Sequence, residues 1–345
     1  MHMKMITLGS TGITVPQNAF GALPVQRVTM EEAVQLLRRA YEGGMRFFDT
    51  ARAYSDSEEK LGEAFGSMDR SQMVIASKTA AKTPEEFRTQ LDTTLKNLRT
   101  EYLDIYQFHC VDQCYAPGDG TGMYECMLEA KAAGKIRHIG ITSHKIGVAM
   151  ECVASGLYET MQFPFSYLST GKELELVQLC KEKNVGFIAM KGLAGGLITH
   201  SEAAMAFMLQ YDNVLPIWGI QRPKELEEWL AFMDNPPAMN AELEAFIAQE
   251  RKELLGEFCR GCGYCMPCPV GITINQCARM SLMLRRAPSA AWLNDYWQGE
   301  MAKVPECIHC GRCATRCPYE LKPYELIAKN YEDYQQVLAG KVSVK

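Results

Sequence analysis

A closed (β/α)8 barrel followed by a small, α-helical, cysteine-rich domain is the architecture that the 345 residues predict. Three observations point to it. Short apolar runs alternate eight times with amphipathic helical stretches between Gln17 and about Met233. Runs such as LDIYQF are almost continuously apolar, as strands buried on both faces must be, and strand-helix alternation at this spacing implies right-handed parallel crossovers. Finally, eight of the fourteen cysteines fall into two short runs, CRGCGYCMPCP from Cys259 and CIHCGRCATRCP from Cys307. The expected division is 1–235 for the barrel, 236–256 for a helical linker and 257–345 for the cysteine-rich domain and tail.

The units can be taken in order. NAFGAL precedes MEEAVQLLRRAYEGG, MRFFDTA precedes SEEKLGEAFGSM, and QMVIASKT precedes TPEEFRTQLDTTLKNLRT, whose Thr-Pro start suits a cap with proline at the first helical position. LDIYQFHCV then leads to GMYECMLEAKAAG, IRHIGITSH to IGVAMECVASG, and ETMQFPFSY to KELELVQLCKEKN. VGFIAM leads to SEAAMAFMLQY and VLPIWGI to PKELEEWLAFM. An open doubly wound sheet is the alternative, but its Gly-x-Gly-x-x-Gly fingerprint is absent after the first strand. Asn235-Pro236-Pro237 breaks the alternation, and AELEAFIAQERKELLGEF reads as a helix that delivers the chain to the first cysteine run.

Composition narrows the function. An apolar fraction of 47% and a charged fraction of 22% describe a globular protein with material for a core. A formal net charge of -5, with no basic stripe, argues against nucleic-acid and anionic-membrane partners and favours small molecules. No apolar leader opens the sequence and no stretch is long and apolar enough to span a bilayer, so a cytoplasmic protein is expected. Nine cysteines lie between 259 and 317, while Cys110, Cys114, Cys126, Cys152 and Cys180 are scattered. That distribution suits metal ligation in a reducing compartment better than a disulfide framework.

In such a barrel chemistry belongs at the C-terminal rim of the strands. The second strand ends in Asp49 with Tyr54 in the loop beyond it, the third in Lys78, the fourth in His109. Singly, each has a structural explanation: a rim aromatic, an ion pair, a satisfied imidazole. Together they converge an acid, an ammonium, a phenol and an imidazole on neighbouring strand ends, a set suited to carbonyl reduction.

FDTARAY, ASKT, YLDIYQFHC and GKIRHIGITSH resemble the aldo-keto reductase superfamily, in order and at matching spacing over roughly the first 235 residues. The resemblance implies a catalytic set of Asp49, Tyr54, Lys78 and His109. Tyr54 would act as acid/base with Lys78 easing its ionisation, Asp49 would hold Lys78, and His109 would orient the carbonyl and stabilise the developing oxyanion. It also implies NAD or NADP, with a slight lean to NADP. Thr142, Ser143 and Gln162 match positions that grip the nicotinamide amide, and Met190 and Lys191 stand where relatives cover the ring. Gly219, Gln221 and Arg222 would meet the pyrophosphate and adenosine end. Arg222 could pair with a 2'-phosphate or be a solvated helix-start charge, and Glu225 stands where NADP-binding relatives often have a basic residue.

The cysteine runs resemble the two-cluster ferredoxin pattern Cys-x2-Cys-x2-Cys-x3-Cys-Pro, in which the fourth cysteine crosses over. Two [4Fe-4S] clusters are therefore implied, one on Cys259, Cys262, Cys265 and Cys317, the other on Cys307, Cys310, Cys313 and Cys268. Two structural zinc sites are the alternative. The first run is one residue short before Cys268, which leaves Cys277 as an alternative ligand. Trp292, Tyr296 and Trp297 read as an electron path or as packing. The expectation is an NAD(P)-dependent oxidoreductase acting on a small carbonyl or alcohol, its clusters relaying electrons from a ferredoxin-like partner or stapling a C-terminal cap. A nicotinamide-sensing or electron-transfer module without turnover is the alternative.

Overall fold

The computed structural model describes residues 2–254, 258–286, 289–317 and 319–344. All eight expected strands form and close into one barrel of parallel strands. They are β3 (Ala19–Gly21), β4 (Phe47–Asp49), β5 (Val74–Thr79), β6 (Leu103–Phe108), β7 (Ile136–Thr142), β8 (Thr160–Pro164), β9 (Gly186–Met190) and β10 (Val214–Gly219), the last pairing with β3. The crossover helices are α1 (Met30–Glu42), α2 (Ser57–Phe65), α3 (Pro84–Leu98), α4 (Met123–Ala132), α5 (Ile146–Ala154), α6 (Gly171–Glu182), α7 (Ser201–Met208) and α8 (Pro223–Asp234). Their starts follow the sequence chemistry. Thr29 and Glu32 form a reciprocal capping box on α1, and Thr83 accepts from the Glu86 N–H ahead of Pro84 on α3.

One element escaped the sequence reading. β1 (Met5–Thr7) and β2 (Thr14–Pro16) make an antiparallel hairpin. Its Ile6, Leu8 and Val15 join Ala19, Phe47, Ile105, Ile188 and Leu215 in a single cluster. Leu8 comes so close to the start of β9 that a Cβ on Gly186 would sit 2.9 Å from it. The hairpin thus plugs the N-terminal mouth of the barrel, each of its three buried side chains contributing about 1.5–3 kcal/mol. The chemistry is left to the opposite rim.

The chain divides into two compact units, Met1–Gly192 with Ser201–Glu244, and Leu193–His200 with Ala245–Lys345. The boundary falls inside helix α9 (Ala241–Glu253), and the eight residues after Gly192 group with the C-terminal unit. That unit is built from short helices: α10 (Ile274–Cys277), α11 (Met280–Arg286), α12 (Asp295–Ala302), α13 (Arg312–Thr315) and the longer α14 (Pro323–Leu338). Ile272, Cys277, Met280, Leu284, Met301 and Tyr334 form its inaccessible centre, with Trp292 and Trp297 packed against it. The Tyr334 hydroxyl donates to the Trp292 carbonyl at 2.8 Å, pinning α14 to the loop before α12.

Candidate functional site

Because the strands run parallel, their C-terminal ends share one rim, and register decides which residues meet there. Asp49 pairs with Ala76, Lys78 with Gln107, and Thr142 with Gln162. The Lys78 ammonium, 1% exposed, lies 2.7 Å from Asp49 Oδ2 and donates to the Thr50 carbonyl at 2.7 Å. It sits 5.0 Å from the Tyr54 ring centroid and also reaches the Tyr54 hydroxyl. The Tyr54 and His109 rings meet edge to face at 5.6 Å. The structure therefore brings all four rim residues into one cluster.

The environment sets their protonation. Burial works to neutralise Lys78, but the Asp49 carboxylate, helped by contact with Tyr54, outweighs it, so its pKa is raised and it stays an ammonium. Burial raises the Asp49 carboxyl against the pull of that ammonium. For Tyr54, burial again dominates: Lys78 lowers the phenol's pKa, as expected, yet the net direction is upward. Tyr54 is thus held as a proton donor. Burial, then Lys78 and Lys82, push the His109 imidazole down to about 3, so it is neutral.

Two residues that support this cluster were not singled out from sequence. Glu58, at the start of α2, reads as an exposed first-turn acid, but its side chain is buried. It accepts from Ser77 on β5 and Thr94 on α3, each at 2.8 Å, and pairs with Arg52. The Arg52–Glu58 pair brackets Tyr54 in its loop, which the Ser57 hydroxyl ties down by donating to the Ala22 carbonyl at 2.9 Å. Gln107 donates to Gln162 at 3.0 Å, and Gln162 reaches Asp49 at 3.5 Å, making a polar layer beside the ion pair. A glutamine inside the apolar run LDIYQF was the available signal.

The residues expected to hold a nicotinamide dinucleotide are differently disposed. Thr142 closes β7 and its hydroxyl accepts from the Cys110 N–H at 2.7 Å, leaving its own proton to give. Ser143 spends its proton on the Val111 carbonyl at 3.0 Å. Met190 ends β9, and Lys191 follows it in left-handed backbone. Gly219 ends β10, exposed. At the start of α8, the backbone N–H groups of Gln221 and Arg222 both donate to the Glu225 carboxylate, at 3.0 and 3.1 Å, and the Arg222 guanidinium pairs with it. The positive end of that helix is thus filled by the chain's own carboxylate.

No cysteine of the C-terminal unit is paired in a disulfide. Cys265, Cys268, Cys307, Cys310 and Cys313 line one open cavity. Cys262 and Cys317 are neighbours of Cys259 among the cysteines, and the Gly261 N–H points at the Cys259 sulfur at 3.4 Å. Among the described residues no three such side chains converge on one point as a single ion would require. Cys277 instead lies inside the helical core beside Glu300 and Lys303.

Comparisons with known proteins also find two regions. Residues 13–205 match the aldo/keto reductase family, and residues 258–322 match a 4Fe-4S dicluster domain. The chain belongs to the aldo/keto reductase family. L-galactose dehydrogenase of Arabidopsis thaliana is 30% identical over 220 residues, covering 57% of this chain and 67% of the relative. The NADH-specific methylglyoxal reductase of Escherichia coli is 26% identical over 57% of this chain and 69% of that relative. The chain spans 61% to 69% of the length of the curated relatives it matches. An aldo-keto reductase structure from Klebsiella pneumoniae in complex with NADPH superposes with a TM-score of 0.62 at 23% identity, over 72% of this chain and 95% of that one. It supports the aldo/keto reductase barrel fold.

Proposed function

We propose that this chain interconverts a small carbonyl and its alcohol with a nicotinamide dinucleotide, using Asp49, Tyr54, Lys78 and His109 as its catalytic set. The buried Asp49–Lys78–Tyr54 contact carries this reading. An ion pair kept only for stability would have no use for a half-buried phenol and a neutral imidazole beside it. Tyr54 donates its proton to the carbonyl oxygen in reduction and recovers it through solvent. Lys78 stabilises the phenolate left behind, and Asp49 keeps Lys78 charged and aimed. Neutral His109 orients the carbonyl and shares its developing charge.

The residues at hand fit a nicotinamide better than they fit an extra phosphate. Asp49 Oδ1 and Gln107 Oε1 are buried acceptors without a hydrogen-bond partner in the polar layer, and Thr142 has a proton to offer. The nicotinamide supplies the hydride. Met190 and Lys191 would border its ring, Gln162 and Thr142 would hold its amide, and Gly219 and Gln221 would meet the pyrophosphate. The E. coli relative is described as NADH-specific and the Klebsiella structure holds NADPH, so both cofactors occur among this chain's likenesses. NADP use requires Arg222 to let go of Glu225.

All-thiol donors around a cavity fit iron-sulfur clusters. Cys259, Cys262, Cys265 and Cys317 would hold one and Cys268, Cys307, Cys310 and Cys313 the other, with Cys277 left to the core. Such clusters supply one-electron transfer and crosslink the segments that bind them. Cys310 is exposed, which suits exchange with a ferredoxin-like donor. The test is oxidation of NADH and NADPH by the anaerobically purified chain across carbonyl classes. Tyr54→Phe should lower turnover about 100- to 10,000-fold while cofactor still binds. Unchanged turnover would leave the barrel as a nicotinamide-binding module.

A further inference from the structure

In the C-terminal unit one cation is conspicuous for what surrounds it. Arg279, between α10 and α11, is 4% exposed. Its guanidinium donates to the Gly195 carbonyl and faces Met283 Sδ at 3.0 Å, and its Nε is buried without a partner. Among the described residues no carboxylate lies within ion-pair distance of it. Cys259, at the head of the first cysteine run, is the ionisable side chain near enough to act on it electrostatically.

The backbone is shaped to admit it. A Cβ on Gly261 would fall 2.2 Å from Arg279 Nη1, and a Cβ on Gly195 2.8 Å from the same atom. Both glycines adopt left-handed backbone, with φ of +67° and +68°. Gly261 lies between Cys259 and Cys262 and directs its N–H at Cys259, so the cradle of the guanidinium and the first cysteine run are one piece of chain. A buried guanidinium stays protonated and is costly without a counter-charge. Cys259 offers that counter-charge only as a metal-bound thiolate.

We infer that Arg279 is the built-in counter-ion of the first iron-sulfur cluster and sets its reduction potential apart from that of the second. This rests on the ligand assignment proposed above. One-electron reduction of a cluster adds a negative charge. A fixed cation in a low-dielectric setting stabilises that reduced form, so the potential rises. Among the described residues no cation as deeply buried as Arg279 stands at the second set: Arg312 borders its cavity on an open surface where water screens it, and Arg316, half-buried, spends a donor on the Met266 carbonyl. The first cluster is therefore the easier to reduce, and electrons entering at the second run downhill to the first.

The experiment is a dithionite titration of the full-length, anaerobically reconstituted chain, followed by electron paramagnetic resonance and visible absorbance. Cys262→Ser marks which signal belongs to the first cluster. In Arg279→Met the reduced-to-oxidised ratio of that cluster at a fixed potential should fall at least tenfold, a drop of about 59 mV for one electron. The second cluster should titrate as in the parent, and Arg279→Lys should stay close to the parent. Parent-like titration of both clusters in Arg279→Met, or an equal shift in both, overturns the inference. If Arg279→Met fails to take up iron, Arg279→Lys decides: a parent-like titration supports the role of charge, and a tenfold shift overturns it. Iron content and absorbance of the parent are read first, so a failure of the ligand assignment is seen separately from a failure of Arg279.

Discussion

In the barrel, the buried ammonium of Lys78 lies 2.7 Å from Asp49, and buried Glu58 is met by Ser77, Thr94 and Arg52. In the C-terminal unit, Arg279 is nearly as deeply buried, and among the described residues its hydrogen bonds go to a carbonyl and a thioether sulfur, with no carboxylate in ion-pair reach. Long β-pairings between distant segments hold the barrel together, whereas two of the helices around the cysteines are four residues long. The barrel satisfies its charges from its own side chains. If the smaller unit holds the proposed clusters, its folding should depend on them.

The largest expected effect follows. Stripping iron with a chelator under mild oxidant should unfold most of 258–344, read as rapid proteolysis there, while the barrel keeps its strands and its thermal transition. A C-terminal unit as protease-resistant without iron as with it would break the comparison. On the barrel side, Lys78→Met leaves Asp49 buried without its cation and should cost about 3–5 kcal/mol in chemical denaturation. A loss below about 1 kcal/mol would mean that the pair is as weakly coupled as a surface one.

A smaller change should come from Glu225→Gln. Freed from a competing carboxylate, Arg222 and the start of α8 become available to a phosphate, and the KM for NADPH should fall about tenfold relative to that for NADH, as expected for one charge-assisted contact. No change in that ratio would show that the 2'-position is read elsewhere. The subtlest prediction concerns pH. Carbonyl reduction needs protonated Tyr54, whose pKa burial raises above the usual 10.0, so kcat/KM should fall only as pH climbs through that alkaline range. With His109 at about 3, no inflection is expected near 6.5. A limb near neutrality would place a different group in the proton transfer.

What could be read from the sequence follows a physical line. The eight strands announced themselves because they are buried along most of their length, and the helix starts because Thr29 and Thr83 cap within four residues of their own position. The hairpin did not, since each of its strands is three residues long and only packing under the barrel makes Ile6 and Val15 core. Asp49, Tyr54, Lys78 and His109 were visible as polar residues at strand ends. Glu58 and Arg279 were not. A glutamate in a first turn and an arginine in INQCARM both read as solvated charges, and their burial depends on Thr94 and Gly195, far along the chain.

The chain passes between the two units at Gly192/Leu193, at His200/Ser201 and again at Glu244/Ala245. A module joined by a single tether can be deleted, transplanted or expressed alone. Here the barrel's own sequence lends eight residues to its companion and takes the thread back. A cut near Ala245 would strip the iron-sulfur unit of Gly195, and leave the barrel with a stretch whose packing partners had gone.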